Sequence, residues 1–288
     1  MFPSECRAVV AGGGVRRVAV GVMVAVVAVL VAGCGGDDLV SPTPTLPAVT
    51  VTTTSQPVAV TSTTAPVDVT TAVTPVFTAL ASRDVAALEA VAAAGVVPGS
   101  PAGDYVAHRA TAEVVLAAAG VERAAVNVVA DPAGGVGFTL CVDVAECVVY
   151  DAIEVDAAAR LVSFAVDQVP VSELVIPAGP VVAVEGAQAR VVSAAVSSSG
   201  EVSVVVEVIA GDEAVDVVGV SAVHRPRFDT SASAREVRAV WGDGVVDPGE
   251  SLTALMVFAE GPLDGDVVLS VVFADGRDEL LALPLLAP

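Results

Sequence analysis

From Gly120 onward, Val-rich apolar positions return at every second residue in short runs. A period of two puts alternate side chains on one face of an extended chain, whereas a helix needs a period near 3.6. The runs lie at 124–130, 137–143, 147–155 and 161–167, then at 190–197, 202–209, 215–223, 252–259, 267–274 and 279–285. Turn residues separate them, among them Asp131-Pro132-Ala133-Gly134-Gly135, Ser198-Ser199-Gly200, Asp247-Pro248-Gly249 and Asp275-Gly276. The first four runs, joined by short turns, are expected to form an antiparallel meander, and the later six a β-sandwich.

Charge and side-chain chemistry narrow the function. The 288 residues carry 34 acidic and 13 basic side chains, a formal charge of −21, which opposes binding to a polyanion such as nucleic acid. Every basic residue is arginine. Without lysine there is no Gly-Lys-Ser/Thr phosphate loop, no Schiff base, no pyridoxal phosphate chemistry and no Ser-x-x-Lys acyl transfer. Mean hydropathy is high, +0.78. Beyond the N-terminus, however, charged or turn residues interrupt each apolar run before the roughly 20 residues a membrane span needs.

The N-terminal segment reads as an export signal. Arg7, Arg16 and Arg17 precede an apolar run at 18–32 that closes on Val31-Ala32-Gly33-Cys34. A basic start, a short apolar stretch and small exit residues are the layout of a secretory signal. A cysteine directly after Ala-Gly resembles the lipobox of bacterial lipoproteins. That resemblance implies cleavage after residue 33 and a diacylglyceryl group on Cys34, anchoring the chain to the extracytoplasmic face of the cell membrane. The other readings are an uncleaved single-span anchor and an ordinary secretory cleavage. Removing residues 1–33 takes away three arginines and Glu5, so the mature chain carries −23.

Residues 34–75 read as a lipidated cysteine and a tether. From Ser41 to Pro75, Thr, Ser and Pro fill 21 of 35 positions and Asp68 is the only charge. Such a segment buries too little to offset its ordering entropy. Its Thr/Ser runs would accept O-glycosylation or stay bare.

Residues 76–176 read as an α+β domain. Thr74-Pro75 provides a capping hydroxyl before a proline and predicts a helix from there. Asp84 predicts a second helix over 85–94 ended by Gly95, and Ser100-Pro101 a third reaching Ala119 before Gly120. Three helices then precede a four-stranded meander, so the helices cover one face of the sheet. This order, with Arg83-Asp84-Val85-Ala86-Ala87-Leu88 opening the second helix, resembles the cone-shaped domain typified by nuclear transport factor 2 and ketosteroid isomerase. The family carries a strand pair between its second and third helices. Gly95 to Ser100 is too short for one, which implies a smaller cone.

Cys141 and Cys147 bracket a turn centred on Val144, so they face each other across two strands and are expected to form a disulfide in an oxidising compartment. His108 lies three residues after Tyr105 and four before Ala112, on one face of the third helix. A half-buried histidine bonded to a backbone carbonyl accounts for it. A ligand cavity lined by Tyr105 and His108 is a second reading. In cone-fold enzymes a cavity histidine or carboxylate acts as general base, so the resemblance makes Asp104, Tyr105 and His108 the acid/base candidates.

Residues 180–288 read as a β-sandwich of six or seven short strands. Asp247-Pro248-Gly249-Glu250-Ser251 ahead of the run at 252–258 resembles the immunoglobulin-like accessory domains of Gram-positive surface lipoproteins, which implies binding or spacing of other proteins. Asp243, Asp247 and Glu250 read as a turn, with calcium the alternative. Arg225, Arg227, Arg235 and Arg238 fall between two predicted strands, near Phe228 and Trp241. Arginine with aromatics is the composition of a protein interface, but a solvated loop on an acidic protein is the preferred reading.

Taken together, the residues lead to a lipid-anchored lipoprotein with a non-catalytic binding or envelope-organising role and no cofactor, its partners envelope proteins or a small apolar ligand. The alternative is a small-molecule-binding or isomerase-like cone using Tyr105 and His108. A two-lobed solute receptor is disfavoured, since the alternation of strand and helix it needs is missing.

Overall fold

The computed structural model describes residues 68–130, 136–141, 147–226 and 234–285. The signal segment, Cys34 and the tether up to residue 67 lie outside the described residues, as do Arg227 and Phe228. Among the described residues no helix is long and apolar enough to cross a membrane.

Three capped helices come first. Helix α1 (Val69–Ser82) starts six residues before the Pro75 start that the sequence predicts. Asp68 is its cap, accepting from the Thr71 N–H and, at 2.7 Å, from the Thr71 hydroxyl. Thr74 donates instead to the Thr70 carbonyl at 2.7 Å. Pro75 is tolerated inside because it faces solvent, where water can satisfy the carbonyl it leaves without an intrahelical donor. The apolar stripe Val73, Val76, Phe77 and Leu80 runs past it unbroken and is buried. Helix α2 (Val85–Ala94) is capped by Asp84 at 2.8 Å from the Ala87 N–H, and α3 (Pro101–Ala118) by Ser100 at 3.1 Å from the Gly103 N–H. Both start where the sequence places them.

The first sheet follows: β1 (Asn127–Ala130), β2 (Phe138–Cys141), β3 (Cys147–Val155), β4 (Leu161–Val166) and a two-residue β5 (Val169–Pro170), paired antiparallel in chain order. Cys141 and Cys147 sit opposite each other in the β2–β3 register and form a disulfide, as expected. The helices contact this sheet through an aromatic core. Phe77 stacks on Phe138 with ring centres 4.4 Å apart, and Phe164 meets Tyr105 edge-on at 5.4 Å.

Helix α4 (Val171–Leu174) leads into a larger, ten-stranded antiparallel sheet. Its strands are β6 (Val175–Ile176), β7 (Val182–Val184), β8 (Ala187–Val196), β9 (Glu201–Ala210), β10 (Val215–Arg225), β11 (Arg235–Trp241), β12 (Gly244–Val246), β13 (Ser251–Glu260), β14 (Gly265–Phe273) and β15 (Asp278–Leu285). The order is β15-β14-β10-β11-β13-β9-β8-β6, with β12 on β10 and β7 on β8. Both halves of this order feed one core: Val204, Val206 and Met256 from β9 and β13 share it with Leu269 and Leu283 from β14 and β15.

Strand β11 corrects the loop reading of Arg235 and Arg238. It pairs with β13 from Val237 opposite Phe258 to Trp241 opposite Leu255. Glu236 and Arg238 take its exposed positions, Arg235 at its start is half-buried, and Val237 and Val240 pack on the core. Charge on one face masks a strand that is apolar only on the other.

Strand β9 is buried on both faces. Val204 and Val206 enter the large core, while Val205 turns the other way and packs with Leu255 against Ala112, Val115 and Leu116 of α3. Helix α3 therefore lies between the small sheet and the outer face of β8, β9 and β13.

The start of α3 is tightly built. A Cβ on Gly103 would stand 2.5 Å from the Val97 carbonyl oxygen, which Ser100 holds through its N–H and its hydroxyl at 3.1 and 2.6 Å. Alanine is about 1 kcal/mol better than glycine inside a helix, but overpacking costs about 1–3 kcal/mol. Gly103→Ala is therefore expected to lower the urea midpoint, and an unchanged or raised midpoint would contradict this packing.

Candidate functional site

The end of α1, the middle of α3, the face of β2–β4 and the β8–β9 hairpin enclose a cavity of about 180 Å³. Leu80, Val126, Leu140, Val148 and Val166 supply its apolar wall. Leu140 and Val148 are register partners next to the disulfide, which pins the two strands beside the cavity. Ser197 and Ser198, exposed in the β8–β9 turn, stand at its rim.

Tyr105 and Tyr150 bring hydroxyls to the cavity from α3 and β3. Burial pushes the ionisation of Tyr150 well above the usual phenol range, and the neighbouring Tyr105 adds to this, so Tyr150 stays protonated.

His108 lies at the back of the cavity and is buried, with 2% of its surface exposed. Sequence reasoning expects a half-buried ring on a backbone carbonyl. The ring is instead held between two serine hydroxyls, Nδ1 at 2.9 Å from Ser193 Oγ and Nε2 at 2.9 Å from Ser203 Oγ. The Ser203 hydroxyl donates to the Ala195 carbonyl at 3.2 Å, so it accepts from Nε2–H, and Nδ1 accepts from Ser193. Burial, reinforced by Arg109, lowers the His108 pKa to about 3. The ring is neutral and both of its nitrogens are engaged.

Asp104 does not join this group. It lines a second recess of about 100 Å³ with Thr111, Ser193 and the other side of His108, where Tyr105 is absent, and burial raises its pKa. The acid/base candidates Asp104, Tyr105 and His108 therefore do not converge on one cavity: on a helix, Asp104 and Tyr105 point about 100° apart.

Charged groups that sequence reasoning did not single out complete the site. Arg83, the residue that caps the C-terminus of α1, takes a left-handed backbone conformation at φ 57° and lines the cavity with Arg109 and Arg123. Glu113, almost wholly buried, receives Arg123 Nη1 at 2.9 Å and Arg109 Nη2 at 3.7 Å on the same oxygen. Burial lowers the pKa of Arg83, and repulsion from Arg109 acts in the same direction. The pair Arg109 and Glu113, one helical turn apart, was the available sequence signal.

The remaining candidates lie elsewhere. Trp241 is half-buried and packs on the cluster formed by α3, β9 and β13, and Arg225 is exposed at the end of β10. Asp243, Asp247 and Glu250 are all exposed, and the Glu250 N–H closes a turn on the Asp247 carbonyl at 3.0 Å. Among the described residues no group of three potential ligands could hold a metal. Comparison of the chain with protein-family models and with curated proteins finds no match.

The state of His108 sets a pH dependence. Its folded pKa of about 3 lies below the ordinary 6.5, so the unfolded chain binds the extra proton. Its contribution is complete above pH 6.5 and is lost as the pH falls toward 3. Between pH 7 and pH 5 this amounts to about 2 kcal/mol. His108→Gln should be less stable than wild type at pH 7, and the gap, measured by urea unfolding with Trp241 fluorescence, should narrow by about that amount at pH 5. A gap that does not change with pH contradicts the neutral buried ring.

Proposed function

We propose that this chain is a lipid-anchored, extracytoplasmic binding protein whose cavity between α3, the small sheet and the β8–β9 hairpin receives a small molecule. The observation that carries the reading is the cavity of about 180 Å³ with apolar walls and converging hydroxyl and guanidinium groups. A concave, mostly apolar site with a few polar groups, at the seam of two structural layers, is where ligands bind. In this reading the helices and first sheet are a small cone of the nuclear transport factor 2 type. The larger sheet is an immunoglobulin-like sandwich that walls the cavity with its β8–β9 hairpin.

Binding is favoured over isomerase-like catalysis because His108 has both nitrogens engaged by serine hydroxyls and Asp104 does not line the cavity of about 180 Å³. Diacylglyceryl Cys34 supplies the membrane attachment, and the Thr/Pro-rich tether holds the folded part off the outer leaflet. The strong negative charge adds repulsion from acidic envelope polymers.

Two measurements test the proposal. Wild-type protein should enter the detergent phase in a phase-separation assay, and Cys34→Ala should move to the aqueous phase; equal partitioning removes the lipid anchor. Full-length protein in detergent should bind at least one member of a mixed panel of neutral and charged one- and two-ring compounds by ligand-observed NMR. Val148→Phe, which fills the cavity, should abolish that binding. A panel without any binder, or binding insensitive to Val148→Phe, removes the ligand site.

A further inference from the structure

Three arginines line this cavity, and two of them share one carboxylate. Arg109 and Arg123 both pair with Glu113 Oε1. Arg83 forms no ion pair among the described residues, and its Nε is buried without a hydrogen-bond partner there. Acid is not scarce: the chain has 34 acidic residues for 13 arginines, and Arg160, Arg190, Arg238 and Arg277 each meet a carboxylate within 3.1 Å. The cavity nevertheless keeps two positive charges in excess. A partly desolvated cation without a partner is costly, and this one sits on a left-handed backbone that a non-glycine residue seldom adopts. Strain and unpaired charge of this kind persist where a ligand uses them.

Leu80, Val126, Leu140, Val148 and Val166 make part of the lining apolar. An apolar cavity of about 150 Å³ holds one benzene molecule, so about 180 Å³ has room for a single ring, or a short branched chain, and one small polar group. A bare tetrahedral anion would leave the apolar part unfilled. We infer that the cavity binds a small monocarboxylate, with its compact apolar body against Leu80, Leu140, Val148 and Val166 and its carboxylate received by Arg83. Arginine suits this role because its planar fork matches a carboxylate with two parallel hydrogen bonds. Tyr105 and Tyr150 line the same cavity; the Tyr150 hydroxyl donates to that of Tyr105, which leaves the Tyr105 proton to donate to the second oxygen. Glu113 keeps Arg109 and Arg123 in place, so Arg83 is the cation left for the ligand.

This inference rests on the cavity being a binding site, as proposed above, and its test separates the two. Benzoate and benzyl alcohol have nearly the same shape and differ in charge. Calorimetry on full-length protein in detergent is expected to give benzoate at least ten-fold tighter binding than benzyl alcohol. Arg83→Gln should weaken benzoate by about 10- to 100-fold and benzyl alcohol by several-fold less, so that the preference for benzoate collapses. Arg160→Gln makes the same change of charge outside the cavity, where Arg160 pairs with Asp156, and should alter neither. The wild-type comparison does not depend on any variant folding.

Equal affinity for the two probes, or an equal loss in Arg83→Gln and Arg160→Gln, overturns the carboxylate assignment and leaves the binding site standing. Failure of both probes while another panel compound binds in the cavity has the same meaning. If nothing binds, both readings fall.

Discussion

The double burial of β9 is the constraint on which the rest of the arrangement depends. A strand with valines on both faces needs a second apolar layer over its outer side, and α3 provides it with Ala112, Val115 and Leu116. Because α3 also packs on the aromatic core of the first sheet, the helix is held between two layers. The cavity is the space left at one end of that contact. His108 and the two serines are the polar exception within it. Each of the three groups satisfies another, so a buried imidazole is accommodated without charge. Were the ring unpaired, its desolvation would count directly against the contact between helix and sheet.

Electrostatics acts in the opposite sense around the cavity. Outside the cavity Arg160, Arg190, Arg238 and Arg277 each pair with a carboxylate, and surface pairs of that kind contribute little to stability. At the cavity cations are in excess instead, with three arginines and one buried glutamate. A local positive site inside a protein of strong negative charge is selective by construction. The surrounding field disfavours anions at long range, so only one that fits and pairs at close quarters gains from entering.

Much of the local structure was legible. The caps Asp84 and Ser100, the helix over 85–94 and the strand over 147–155 lie where spacing places them, because a cap and a period are short-range properties. The facing cysteines followed from strand register for the same reason. Three readings failed for want of tertiary information. The first turn of α1 was hidden by Pro75, whose cost depends on whether its outer face meets solvent. Strand β11 was hidden by Glu236 and Arg238, whose exposure depends on which sheet face is covered. The partners of His108, Ser193 and Ser203, lie 85 and 95 residues away in the chain.

What the sequence alone determined is the succession of three helices, a small antiparallel sheet and a larger β region, the disulfide pairing and the chemistry excluded by the absence of lysine. Each follows from neighbouring residues or from composition; β5, α4, β6, β7, β11 and β12 were not legible in the sequence. What only the tertiary structure decided is that Arg83 joins the group of Arg109, Glu113 and Arg123 beside an apolar hollow, and that Asp104 shares a recess with His108 but not the cavity that Tyr105 lines. Convergence of side chains from a helix end, a helix face and a loop depends on how α3 packs between two sheets. That packing is a property of surfaces assembled from distant segments, which no local pattern encodes.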